Sequence, residues 1–184
     1  MYGYIFDYDG VLLNSMEAHY KSNVIALRDI NVPMDKKKYF SQAGMTGVEQ
    51  IKFFCEDAGV IADYEAIYRH KKEIFNTMLH EVTRIEQNLR IYNILVTSGE
   101  KVAIATGCSR ETLEMTSKFL GISVPISVCG GEVARGKPYP DLFLEAARLM
   151  GVEPKKCTVI EDSDAGIDAA MAAGMACMRY YDRI

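Results

Sequence analysis

The absences in this sequence exclude more than its composition suggests. It has no C-x-x-C pair, no apolar stretch approaching the ~20 residues needed to cross a bilayer, no excess of basic charge, and no repeat or low-complexity tract. Its five cysteines (Cys55, Cys108, Cys129, Cys157 and Cys177) are an odd set without metal-ligand spacing. They fit neither a disulfide framework nor a zinc site, so reduced thiols are expected, with Cys157 and Cys177 in the core. A formal net charge of −4 argues against a nucleic-acid or anionic-membrane partner. Any anionic substrate must therefore be met by local cations or a metal. Without a basic leader carrying an apolar core and a cleavage site, the cytoplasm is the expected compartment. A small molecule is the expected partner, bound by a monomer or weak homodimer.

What is present is ordinary for a globular chain: 49% of its 184 residues are hydrophobic and 25% charged, enough for one or two compact units. Short apolar runs at 2–6, 102–106, 126–129, 157–160 and 176–180 read as buried strands. Helical patterns at 111–120, 141–150 and 165–173 alternate with them and stop at Gly121, Gly151 and Gly174. That alternation predicts an α/β fold, a parallel sheet with helices on both faces. Residues 15–85 break the rhythm with long helical periodicities and no convincing strand. Ile51, Phe54, Cys55 and Ala58 share one helical face, as do Ile67, Ile74, Phe75, Met78 and Leu79, which is what a small helical bundle requires. The expected division is therefore 1–14 with 86–184 as the α/β core and 15–85 as an inserted helical cap.

Asp7 and Asp9 follow the first strand, at the edge where open α/β sheets place ligands. Two carboxylates that close raise at least one pKa unless a cation intervenes, so the pair implies a metal, a proton or both. An EF-hand is excluded, because Leu12 and Ala18 stand where its loop needs Gly and Glu. Further polar groups fall where the first pair needs partners. Thr106-Gly107 ends a strand, and the hydroxyl and following N–H groups suit phosphate oxygens. Gly136-Lys137-Pro138 supplies a cation but not a P-loop, since Pro138 replaces the Ser or Thr. Glu161-Asp162 ends another strand before the helix start Ser163-Asp164-Ala165-Gly166, a position that suits capping as well as metal binding.

Taken in order, these stretches resemble the haloacid dehalogenase superfamily, in the branch with a helical cap inserted after the first motif and β-phosphoglucomutase-like members. Phe6-Asp7-Tyr8-Asp9-Gly10-Val11-Leu12-Leu13 looks like the first motif and Ala105-Thr106-Gly107 the second. Gly136-Lys137-Pro138-Tyr139-Pro140-Asp141 looks like the third, and Ile160-Glu161-Asp162-Ser163-Asp164-Ala165-Gly166-Ile167 the fourth. The resemblance implies a Rossmann-like core and a phosphatase working through an aspartyl-phosphate. It makes Asp7 the nucleophile and Asp9 the acid/base, the latter needing a pKa above the ordinary ~3.9. Thr106, Gly107 and Lys137 would hold the phosphoryl oxygens. Mg²⁺ would be bound by Asp7, the backbone carbonyl of Asp9 and Asp162, with Glu161 nearby. His19 and Thr46, the latter within the cap loop Gly44-Met45-Thr46-Gly47, are the expected cap contacts to substrate.

The favoured substrate is a small phosphorylated metabolite, with a sugar phosphate the first expectation. A β-phosphoglucomutase-like phosphomutase would use the same residues, and a catalytically inactive binding module is the third reading. Two departures from the family pattern concern the cap and the sheet. The Pro-Gly turn usual before the returning helix is missing around Glu86-Gln87-Asn88, and the chain ends soon after its last strand.

Overall fold

The computed structural model describes residues 1–181. Five parallel strands, β1 (Gly3–Phe6), β4 (Lys101–Ala105), β5 (Ser127–Val128), β6 (Cys157–Glu161) and β7 (Ala176–Arg179), form one sheet in the order β5-β4-β1-β6-β7. The first strand is central, with Ile5 opposite Ala103 on one side and Val159 on the other. Period-two alternation divides the sheet's side chains between two faces. Ile5, Ala103 and Val159 pack under α7 (Asp141–Met150) and α8 (Asp164–Ala172). Phe6, Val102 and Ile104 pack under α5 (Glu86–Thr97) and α6 (Arg110–Leu120). The helices cover both faces, as the alternation predicted. The edge strand β7 is mostly exposed.

Between two short strands, β2 (Leu13–Asn14) and β3 (Thr83–Arg84), lie the helices α1 (Met16–Arg28), α2 (Lys36–Ser41), α3 (Gly47–Asp57) and α4 (Tyr64–Thr77). The two strands pair antiparallel, which the sequence reading missed because two residues carry no periodicity. Leu27, Tyr39, Ile51, Phe54 and Cys55 form a separate apolar cluster among these helices. Ala58 is a correction to the expected stripe: it caps α3 and is exposed. Phe75 faces the other way and joins the sheet-side cluster with Phe6 and Leu89, so α4 lies against the α/β unit. In place of a Pro-Gly turn, the return is fastened by Asn88 Nδ2, which donates to the Val11 carbonyl at 2.8 Å, and by Ile85 N, which donates to that of Leu12 at 2.9 Å. All five cysteines are free; Cys157 is buried and Cys177 partly so. Among the described residues no helix is long and apolar enough to cross a membrane.

Candidate active site

Parallel strands bring their carboxyl ends to one edge, where β1 delivers Asp7 and Asp9, β6 delivers Glu161 and Asp162, and β4 delivers Thr106. Asp7 follows β1 and its N–H donates to the Ile160 carbonyl at 2.9 Å, which locks the strand end against β6. The chain then turns sharply, with Leu12 N donating to the Tyr8 carbonyl and buried Tyr8 bonded through its hydroxyl to Thr116 at 3.0 Å. Gly10 makes the turn possible: its φ is 86°, and a Cβ there would collide with the Asp162 carboxylate.

Lys137 is fully buried between two carboxylates, 2.8 Å from Asp7 Oδ1 and 2.5 Å from Glu161 Oε1. Burial opposes its charge, but Asp7 and Glu161 outweigh that cost and hold the ammonium well above the ordinary lysine range. Glu161 is further held by Ser163, whose N–H donates to Oε2 at 2.7 Å. Burial and the neighbouring Glu161 and Asp162 raise Asp7 well above its ordinary value despite Lys137. Asp162 is pushed up to about 7, by burial first and then by Glu161. Asp7, Glu161 and Asp162 each offer an oxygen within 4.8 Å of the others. An all-oxygen, acid-rich set suits a hard divalent cation such as Mg²⁺, whose charge would relieve the crowding that raises Asp7 and Asp162.

Asp9 points away from that cluster. Its Oδ1 accepts from Ser15 Oγ at 2.5 Å and lies 3.2 Å from His19 Nε2. On the far side of the ring, Lys71 Nζ is 2.7 Å from His19 Nδ1. While Lys71 is protonated its ammonium can only donate, so Nδ1 accepts and Nε2 carries the proton toward Asp9. The ring stacks on Phe75 at 4.1 Å. Burial first, then the Lys71 charge, lowers His19 below its ordinary range and favours that neutral form. Burial likewise pushes Lys71 down to about 8.

The lifted acid/base carboxyl expected at Asp9 is therefore corrected. Burial does act to raise Asp9, but His19, Ser15 and Lys71 together hold it below the ordinary carboxylate range. The raised carboxyls are Asp7 and Asp162, because the turn carries Asp9 toward the helices and leaves the others crowded. Nor is the Asp9 carboxylate part of the acidic cluster formed by Asp7, Glu161 and Asp162.

Thr106 is buried beside Asp7, and its Oγ accepts from Cys108 N at 3.1 Å, leaving the hydroxyl proton to donate into the cleft. Thr106, Gly107 and His19 line a cleft with Asp7, Asp9 and Asp162. Lys137 stands behind Asp7 rather than on the cleft wall. Thr46 is also placed differently: its hydroxyl donates to Glu49 Oε2 at 2.7 Å and accepts from Glu49 N, a capping box at the start of α3. Its neighbours Met45 and Gly47 reach the cleft instead. Lys71 was missed by the sequence reading, although a cation at helical spacing between Ile67 and Phe75 on an apolar stripe was the signal for it.

Comparison with known proteins identifies the family and the fold. The model for the haloacid dehalogenase-like hydrolase family matches residues 4–180. Fructose-1-phosphate phosphatase YqaB of Escherichia coli is 31% identical over 176 residues, covering 94% of this chain and 93% of the relative. Beta-phosphoglucomutase of Bacillus subtilis is 27% identical, covering 93% of this chain and 79% of that protein. A solved hydrolase from Pseudomonas syringae superposes with a TM-score of 0.88 at 25% identity, covering 96% of this chain and 83% of its own. A longer Arabidopsis thaliana relative is matched over 17% of its length.

Proposed function

We propose that this chain, which belongs to the haloacid dehalogenase-like hydrolase family, is a Mg²⁺-dependent phosphatase of a small phosphorylated metabolite. The observation that carries this reading is Asp7, held at a strand end with one oxygen on the Lys137 ammonium and a second carboxylate pair beside it. A buried carboxylate kept in one orientation is a nucleophile for phosphorus once repulsion between the two anions is screened. Lys137 supplies part of that screening through Asp7 and Glu161. A Mg²⁺ ion held by Asp7, Asp162 and the Asp9 carbonyl, with Glu161 nearby, would supply the rest.

In the first step an Asp7 oxygen bonds to phosphorus, the ester P–O bond breaks, and protonated Asp9 gives its proton to the leaving alkoxide. An arriving phosphoryl dianion raises Asp9 toward that protonated form. In the second step water attacks the aspartyl-phosphate, Asp9 takes the water proton, and phosphate leaves with Asp7 restored. Thr106 donates to a phosphoryl oxygen. Lys71, His19 and Ser15 hold the Asp9 carboxylate in place across both steps. The helices of 15–85 serve as a cap over the site, and a sugar phosphate is the favoured substrate, supported by the YqaB relative.

The test is phosphate release from p-nitrophenyl phosphate and a panel of sugar phosphates, each with Mg²⁺ and with EDTA. Release is expected only with Mg²⁺ and only with Asp7 intact. Metal-independent release, or wild-type turnover by Asp7→Asn, would overturn the mechanism.

A further inference from the structure

The groups that handle the phosphoryl end leave the rest of the cleft with a distinct chemistry. Beyond Asp7, Asp9, Thr106 and Asp162, its walls include Tyr39, Gln50, Tyr68 and Thr112. These are uncharged side chains with hydroxyl or amide groups. Gln50 is buried, and its amide makes long bonds only: Oε1 is 3.4 Å from Asn23 Nδ2, and Nε2 is 3.4 Å from the Gln42 carbonyl. Both ends therefore retain hydrogen-bonding capacity toward the cleft. Tyr68 closes one side by lying against Gly47, where a Cβ would collide with its ring. No side chain, charged or otherwise, fits at position 47 while that wall stands.

Charge points the same way. Lys71 is the sole lysine or arginine among the described residues lining this cleft, and it is engaged with His19 and, through the ring, with Asp9. The guanidinium of Arg110, at the start of α6 and off the cleft wall, is taken by both oxygens of Glu132, at 2.8 and 2.9 Å. Four carboxylates around the reacting end stand against the ammonium groups of Lys137 and Lys71. One divalent cation cancels the excess, and the transferring phosphoryl group makes the cleft negative again. A second anion on the same substrate would enter an uncompensated negative field, in a site whose walls would desolvate it.

We infer that the cleft beyond the phosphoryl site takes a neutral, hydroxylated leaving group, read by Gln50 and its tyrosine neighbours, and rejects one bearing a second phosphoryl or carboxylate group. This rests on the phosphatase reading and narrows it. It sets the enzyme apart from a phosphomutase that must hold a sugar bisphosphate, since such a molecule would leave one phosphoryl group without a cation.

The test compares kcat/KM for three esters of one six-carbon skeleton, a hexitol monophosphate, a hexose bisphosphate and a phosphorylated sugar acid, with p-nitrophenyl phosphate as the generic reporter. The neutral polyol ester is expected to exceed both charged esters by about tenfold or more, the discrimination that one unpaired polar group produces. Gln50→Leu is expected to narrow the ratio of polyol ester to p-nitrophenyl phosphate, and Gln50→Lys to shift the monophosphate-to-bisphosphate ratio toward the bisphosphate. Equal or better turnover of the bisphosphate by the wild-type enzyme, while p-nitrophenyl phosphate is hydrolysed, would overturn this inference and leave the phosphatase standing. Silence on all four esters with Mg²⁺ present would overturn both.

Discussion

Two lysines lie buried in one site, and their surroundings drive them in opposite directions. Lys137, beneath the sheet edge, sits between two carboxylates that hold its charge far above the ordinary range. Lys71, on the inserted helices, has an imidazole as its hydrogen-bond partner and Phe75 beneath it, so burial prevails and brings it down to about 8. The difference teaches that charge in this site is fixed where chemistry occurs and adjustable where a side chain is only being oriented. Loss of Lys137 strands two buried anions, whereas loss of Lys71 leaves a neutral ring that can find water.

The core side of this comparison breaks most completely at Asp7. Asp7→Asn is expected to lower turnover by about 10⁴-fold or more while the fold persists, since an amide fills the same space. Phosphate release read beside a circular-dichroism spectrum checks both halves. Next, Lys137→Met is expected to cost roughly 3–5 kcal/mol, the scale for breaking a buried pair. Denaturant unfolding measures it, and a cost near zero would show that Asp7 and Glu161 do not need the cation.

Lys71→Met tests the other side. It is expected to lower kcat by roughly 10–100-fold with little change in KM, because Asp9 loses orientation rather than the substrate losing a contact. Its stability signature has a definite sign. A lysine with a depressed folded pKa binds its proton more weakly folded than unfolded. Wild-type stability relative to Lys71→Met therefore rises between about pH 8 and the ordinary lysine value of 10.5. The expected rise is roughly 3 kcal/mol across that window. A flat difference would mean that Lys71 titrates normally. The smallest effect belongs to Thr46→Ala, where loss of the α3 capping box is expected to cost about 1 kcal/mol with KM unmoved. A large rise in KM would restore Thr46 to the list of substrate contacts.

The two regions also differed in how readily they could be read. Asp7, Thr106, Glu161 and Asp162 were legible because each follows an apolar run whose end is defined by strand length, whereas Lys137, in a loop before α7, was legible only through the resemblance of Gly136-Lys137-Pro138 to the third motif. The sheet order then brings those ends together. Lys71 and Gln50 were not, because a polar residue on a helical stripe looks the same whether it faces solvent, a neighbouring helix or a cleft. The antiparallel pair at Leu13–Asn14 and Thr83–Arg84 is too short for any pattern. Thr46 carried the sequence signature of a cap in Thr46-Gly47-Val48-Glu49, which outweighs its place in a loop that reaches the cleft.

The sequence by itself determined the parallel α/β layers, the helical insertion and the acidic edge, because these follow from side-chain period and from the chemistry of residues adjacent in the chain. Only the tertiary structure decided which carboxyls are raised, which lysine holds its charge, and that Asp9 looks toward His19 rather than Asp162. Those outcomes depend on distances between residues far apart in sequence, such as Asp9, Lys71 and Asp162. Burial and electrostatic coupling have no value until the chain has brought those groups together.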